Sequence, residues 1–224
     1  MCGRFAQIQP LSKIIKTFFI DEVFSELQPS YNIAPGSKIL SVINKDGKRL
    51  LIDLEWGLIP HWAKEASAGR TLINARAESV FQKPSFRNAV KSRRCLIVAS
   101  GFYEWKKEGR IKTPHYITHS SGVSFSFAGL YETWISKENL EHRTCAIITT
   151  EPNLIMKEIH NRMPVILTRD GENAWLDLSI DPERAQSLLV PYPNNDLLIY
   201  PVSALVNSPK NNSSECIIPL TSSE

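Results

Sequence analysis

The sequence predicts an α+β fold, and three observations carry that reading. Apolar residues alternate with polar ones, or run together in short blocks, along most of the chain; helical spacing is confined to a few short segments; and 14 Pro and 10 Gly in 224 residues divide the chain by many turns. Strands of mixed length with helices segregated among them predict a strongly curved, mainly antiparallel β-sheet or partial barrel with flanking helices. The length allows a substantial core without covalent staples. Neither an internal repeat nor a linker is visible, SPKNNSSE being too short to separate two units, so a single domain over residues 1–224 is expected.

Leu11, Ile14, Ile15, Phe18 and Phe19 fall at i, i+3, i+4, i+7 and i+8 behind Pro10, the stripe of a packing helix. The turn in YNIAPG introduces a strand at KILSVI (38–43), and NKDGKR signals a hairpin into LLIDLEWGLIP (50–60). A looser stretch, 61–79, leads through a helix expected at KPSFRNAVKS (83–92) into the most strand-like run, RCLIVASGFYEWKK (94–107). The turn KEGR reverses the chain, and 114–121, 122–134 and 142–151 read as further strands. Pro152 starts a helix at PNLIMKEIH (152–160). Two amphipathic helices, 171–178 and 181–190, precede a last strand at 197–203 and a polar tail.

No apolar run reaches the roughly 18 to 20 residues of a membrane span, and the N-terminus lacks a basic region followed by an apolar stretch, so a cytoplasmic protein is expected. Cys2, Cys95, Cys145 and Cys216 lie far apart, which suggests neither a disulfide framework nor a zinc ribbon. His115 with His119, and His142 with Cys145, are the nearest approach to metal-ligand spacing, and the first pair sits in a strand-like segment; no metal is expected. Residues 61–112 hold 12 Lys and Arg against 4 Asp and Glu, leaving 14 against 19 for the remainder. Interleaved with Trp56, Trp62, Phe81, Phe86, Phe102, Tyr103 and Trp105, this basic middle fits a nucleic-acid groove, with cations for phosphates and ring faces for bases. It fits equally a solvated basic surface with core aromatics between.

Four places could carry chemistry. In a strand over 94–107, Leu96, Val98, Ser100, Phe102 and Glu104 share one face, and a carboxylate at the end of such an apolar face would have a raised pKa suited to proton transfer. A surface ion pair with the following lysines is the simpler alternative. His160 ends the helix that Pro152 starts, where an imidazolium is favoured by about 0.3 to 1 kcal/mol, so it suits a general acid or a plain cap for the last carbonyls. Asn74, Arg76 and Glu78 share a polar face if INARAES is extended. Cys2 becomes the first residue if Met1 is removed, with an amine of pKa about 7.7 to 8.0 and a thiol near about 8.5 on neighbouring carbons. Such a pair can condense with an aldehyde and close a five-membered thiazolidine, the second attack gaining from its intramolecularity.

Seven motifs occur in order: MCGRF, YNIAPG, WGLIPHW, INARAES, GFYEWKK, HNRMPVIL and VSALVNSPKNNSSECIIP. In these the chain resembles the SRAP family, the SOS response-associated peptidases, over nearly its whole length. The resemblance implies an α+β fold with a basic cleft, autocatalytic removal of Met1, and covalent capture of abasic sites in single-stranded DNA by an exposed cysteine. Within the motifs, Cys2 resembles the nucleophile, Asn74 and Glu104 the residues that position and deprotonate it, and His160 the acid that assists sugar ring opening and imine chemistry. Arg4, Asn32, Trp62 and Arg76 are similar to DNA contacts. Ser79 and Ala63 depart from the family's frequent Thr and Trp.

The partner expected is therefore single-stranded DNA containing abasic sites, bound by a monomer without cofactor, metal or membrane, nucleoid-associated when on DNA. Two other readings of the same residues are an N-terminal-nucleophile cysteine peptidase, in which Cys2 attacks an amide, and a non-catalytic single-stranded DNA-binding module.

Overall fold

The alternation of buried side chains along the long strands closes five of them into a barrel. The computed structural model describes residues 2–66, 72–193 and 196–220. In chain order its strands are β1 (Phe5–Gln7), β2 (Glu22–Phe24), β3 (Ser30–Ile33), β4 (Lys38–Lys45), β5 (Lys48–Trp56), β6 (Asn74–Arg76), β7 (Arg94–Ala99), β8 (Gly101–Glu108), β9 (Ile111–His119), β10 (Phe125–Ile135), β11 (Glu141–Thr150), β12 (Met163–Pro164), β13 (Ile166–Leu167) and β14 (Leu197–Pro201). The helices are α1 (Leu11–Phe18), α2 (Ala89–Ser92), α3 (Leu154–Lys157), α4 (Arg169–Leu176) and α5 (Pro182–Ser187).

Strands β5, β4, β7, β10 and β11 pair antiparallel in that order. β11 then returns to β5 in parallel, with Thr144 opposite Glu55 and Cys145 opposite Trp56, so the curved sheet expected from the sequence is a closed barrel. One parity of these strands, including Ile39, Leu54, Trp56, Ile97, Phe127 and Ile147, converges on a single apolar interior. The other parity packs outward against Ile14 and Phe18 of α1, Trp175 of α4 and the turns around Phe86. The second sheet, in the order β14-β9-β8-β1-β3, is antiparallel throughout. Its Phe5 stands edge-on to Trp56 at 5.3 Å and Phe102 edge-on to Phe127 at 5.9 Å, joining the sheet to one end of the barrel interior.

The run 94–107 is two strands in two sheets rather than one. The chain bends at Ser100, whose N–H donates to Ala6 O and whose hydroxyl accepts from Ile8 N–H, and continues beside β1. Gly101 is required there, since a Cβ would lie 2.3 Å from the Tyr116 ring. The bend shifts the alternation by one. Phe102 joins the interior with Cys95, Ile97 and Ala99, whereas Leu96 and Val98 face the helices. Glu104, two residues after Phe102, is therefore on the barrel-facing side of the second sheet, not on the Leu96 face that parity along one strand predicts.

Other expectations shift for local reasons. The helix expected over 83–92 is reduced to α2, preceded by separate turns with Lys83 O accepting from Phe86 and Arg87. That expected over 152–160 is only α3, because Asn153, not Pro152, caps it by accepting from Met156 N–H at 2.9 Å. α1 stops at Phe18, and Phe19, with φ of 53°, ends it in the left-handed region and is exposed, so it leaves the predicted stripe. Residues past β14 form a strap rather than a loose tail: Val206 and Cys216 pack against Tyr103 and Tyr116 on the outer face of the second sheet.

Candidate active site

The N-terminal segment runs between the two sheets. Phe5 lies opposite Phe102, and Tyr103 N–H donates to Arg4 O at 2.9 Å, so the chain before β1 continues along β8 toward Glu104. From the other side, β6 lies parallel to β11 with Asn74 opposite Ile147, and Asn74 Nδ2 donates to Cys2 O at 2.8 Å. Cys2 is thus held at the junction of β6 and β8. It is 0 % exposed in the chain carrying Met1. Burial, and then the charge of Glu104, push the thiol pKa well above its usual value. The Asn74 Oδ1 atom is buried and finds no hydrogen-bond partner among the described residues.

Glu104 is 4 % exposed. Burial raises its carboxyl pKa, while the amino-terminal charge and His160 pull the other way. His160 follows α3, its N–H donating to Met156 O at 2.8 Å. Its Nδ1 accepts from Arg162 N–H at 3.1 Å. The same Nδ1 lies 3.2 Å from Arg162 O, to which it donates when it carries a proton, so the backbone after the ring holds either tautomer. The imidazole is held by the backbone beyond it. Arg162 fixes this segment to β6 and β11, donating to Glu78 Oε1 at 2.6 Å and Oε2 at 3.1 Å and to Thr149 O at 2.6 Å. Glu78, in consequence, is held below its ordinary pKa.

Arg4 and Asn32 have structural partners. Arg4 Nη1 donates to Asn32 Oδ1 at 2.7 Å and to Val206 O at 2.6 Å. Asn32 is 4 % exposed, and its Nδ2 reaches Val206 O, Ser208 O and Asn211 O. Together they hold the strap against the second sheet. The strap in turn sets Trp105, whose Nε1 donates to Asn207 Oδ1 at 2.8 Å. Glu104, Trp105, Lys107, Lys112, His160 and Asn207 line a cleft of about 500 Å3.

The basic stretch divides between cleft and scaffold. Arg94 is buried, its guanidinium donating to Trp175 O and Val90 O, and Arg93 pairs with Glu132 at 2.7 Å. Arg70 lies outside the described residues. Of the aromatic residues, Trp56, Phe86, Phe102 and Tyr103 belong to the core, whereas Trp62 is 58 % exposed and Trp105 half-buried. Arg76 is exposed on the face of β6 that carries Asn74. Among the described residues no group of three His, Cys, Asp or Glu could hold a metal ion, and no helix is long and apolar enough to cross a membrane.

A family model described as SOS response associated peptidase (SRAP) matches residues 1–209. The chain belongs to the SRAP family. It is 50% identical over 221 residues to "Abasic site processing protein YoaM" of Bacillus subtilis, covering 97% of each chain. It is 30% identical over 227 residues to "Abasic site processing protein HMCES" of Gallus gallus, covering 86% of this chain and 67% of that one. A crystal structure of a Bacteroides thetaiotaomicron protein superposes with a TM-score of 0.90 at 29% identity, over 98% of this chain and 100% of that chain. The SRAP motifs thus converge in space. MCGRF, INARAES, GFYEWKK and HNRMPVIL supply Cys2, Asn74, Glu104 and His160, drawn from four separate parts of the chain. Sequence reasoning named Glu78 only on a polar face and Trp105 only among the ring faces, and it missed their partners Arg162 and Asn207. Both partners lie within quoted motifs, and that was the available signal.

Proposed function

We propose that the protein captures abasic sites in single-stranded DNA as a covalent thiazolidine on Cys2, after autocatalytic removal of Met1, and so shields the lesion during DNA repair. The observation that supports this reading is the 2.8 Å hydrogen bond from Asn74 to the Cys2 carbonyl, with the Cys2 thiol close enough to the buried Glu104 to feel its charge. Relatives named for abasic-site processing, along nearly the full length of the chain, support it.

An abasic deoxyribose is mainly a closed hemiacetal. As the imidazolium, His160 donates its Nε2 proton to the ring oxygen O4′ as the C1′–O4′ bond breaks, while Glu104 takes the proton of the C1′ hydroxyl, giving the aldehyde. The Cys2 amine attacks C1′; the carbinolamine loses water to give an imine, with Glu104 moving the protons. The Cys2 thiol, losing its proton to Glu104, adds to the imine carbon, and the nitrogen takes a proton as the ring closes. A carboxyl whose pKa is raised by burial is suited to both giving and taking protons near neutrality. Asn74 keeps the amine in line through the Cys2 carbonyl. An imine that forms without ring closure acidifies the C2′ proton, so slow strand cleavage by β-elimination is a side reaction.

Arg76 and Trp62 are exposed to meet a strand, as phosphate and base contacts. Arg4 and Asn32 act on DNA through the strap and Trp105 that they hold. The protein would act as a monomer in the cytoplasm, associating with the nucleoid on DNA. The test mixes protein with a single-stranded oligonucleotide holding one abasic site and resolves the products on a denaturing gel. The wild type is expected to give a retarded band and Cys2→Ala none. A retarded band of equal strength from Cys2→Ala rejects the reading.

A further inference from the structure

Lys107 and Lys112 line the cleft, and the chemistry above gives them no part. They stand directly opposite one another across the β8–β9 ladder, so both side chains leave the same face. Like charges in such a cross-strand pair repel and lower hairpin stability. Lys106, on the opposite face of the same strand, has a partner in Glu108 at 2.8 Å. Neither Lys107 nor Lys112 has an ion pair among the described residues. The hairpin is tight: a two-residue turn, Gly109-Arg110, joins the strands, and Gly109 takes a φ of 61° that favours glycine. The two ammonium groups therefore start from fixed neighbouring positions. Trp105 shares the face of Lys107, about 7 Å back along the strand, and is itself fixed by Asn207.

The opposed cations stand beside a half-exposed ring in the cleft that Glu104 and His160 also line, and neither is paired with a carboxylate among the described residues. We propose that Lys107 and Lys112 form a two-pronged clamp on the phosphodiester backbone of the single strand flanking the reactive centre. The proposal rests on the reading that this cleft takes single-stranded DNA. On binding, two phosphates relieve the repulsion between the lysines, so the hairpin gains order when DNA arrives.

The experiment measures binding of a short fluorescent oligothymidylate, without any lesion, across a series of salt concentrations. The proteins are the wild type, the double variant Lys107→Gln/Lys112→Gln, and Lys106→Gln as a control from the other face. Circular dichroism checks that each is folded. Loss of two phosphate contacts is expected to weaken binding about tenfold near physiological salt and to flatten the slope of log affinity against log salt by about 1.4, two contacts at about 0.7 each. Lys106→Gln is expected to leave the slope near the wild-type value. An unchanged slope in the double variant, or an equal fall in Lys106→Gln, overturns the clamp. The gel assay on an abasic substrate separates this from the covalent reading. A wild type that crosslinks while the double variant keeps its slope removes the clamp alone; a wild type that never crosslinks while the slope falls removes the covalent reading alone.

Discussion

β7 and β8 follow one another with only Ser100 between them, yet they are built to opposite ends. Every residue of β7 is buried, flanked by β4 and β10 inside the barrel wall. Its single charged residue, Arg94, has its guanidinium bound to backbone carbonyls. β8 begins just as buried and ends exposed, and over that gradient it carries the buried Glu104, the half-buried Trp105 and the exposed Lys107 in turn to the cleft. The barrel strand holds the fold by apolar contact on both faces, so a polar side chain there must be fully paired. The cleft strand can carry reactive groups because its neighbours, β1 and β9, belong to a smaller sheet with one end open. Stability and chemistry are thereby separated along fifteen consecutive residues, 94–108.

That separation can be broken most strongly by emptying the barrel. Phe127 is fully buried and touches both Phe5 and Phe102 edge-on, so Phe127→Ala is expected to lose about 3 to 5 kcal/mol of unfolding free energy in urea titration. A loss no larger than that of a Glu104 variant would show that the barrel is not where stability resides.

The comparison is next sharpened at Glu104. Glu104→Gln keeps the shape and removes the proton carrier, and is expected to slow crosslinking by about a hundredfold with the fold intact. Burial raises the Glu104 pKa, so the base form is gained as pH rises through a range above that of an ordinary carboxylate. The wild-type rate should climb through that limb, and Glu104→Gln should flatten it while leaving any contribution from the amine. A pH profile of single-turnover crosslinking reads both.

The smallest expected effect lies at the tether. The Glu78–Arg162 pair is half exposed on the Glu78 side, so Glu78→Gln should change stability by about 0.5 kcal/mol or less. Its effect on rate should be larger, a slowing of about three- to tenfold, because His160 is positioned through the Arg162 segment. Recovery of the rate in Glu78→Asp, with the same urea midpoint, would mark the pair as a positioning device.

Most of the architecture was legible where the pattern was local. The strands 38–43, 114–121, 122–134 and 142–151 follow from alternation; the first, third and fourth become β4, β10 and β11 of the barrel, and 114–121 becomes β9 of the second sheet. Barrel closure was not legible, because the parallel contact between β11 and β5 joins residues about ninety positions apart with no signal in either. Glu104 was singled out by its place after an apolar run, but its face was misread, since alternation cannot show the bend at Ser100 that β1 imposes. Asn32 shows the opposite limit. It stands as a DNA contact only through the resemblance of its motif, and the strap arriving from residues 206–211 reveals that its amide serves three carbonyls.

The central claim is that an amine and a thiol on the same terminal residue together seal one sugar carbonyl. Intact-mass spectrometry of the crosslinked product tests it most directly. The account predicts the mass of the chain lacking Met1 plus the oligonucleotide less one water, with the attachment mapped to Cys2 after digestion. A product retaining Met1, or one attached at any other residue, contradicts it.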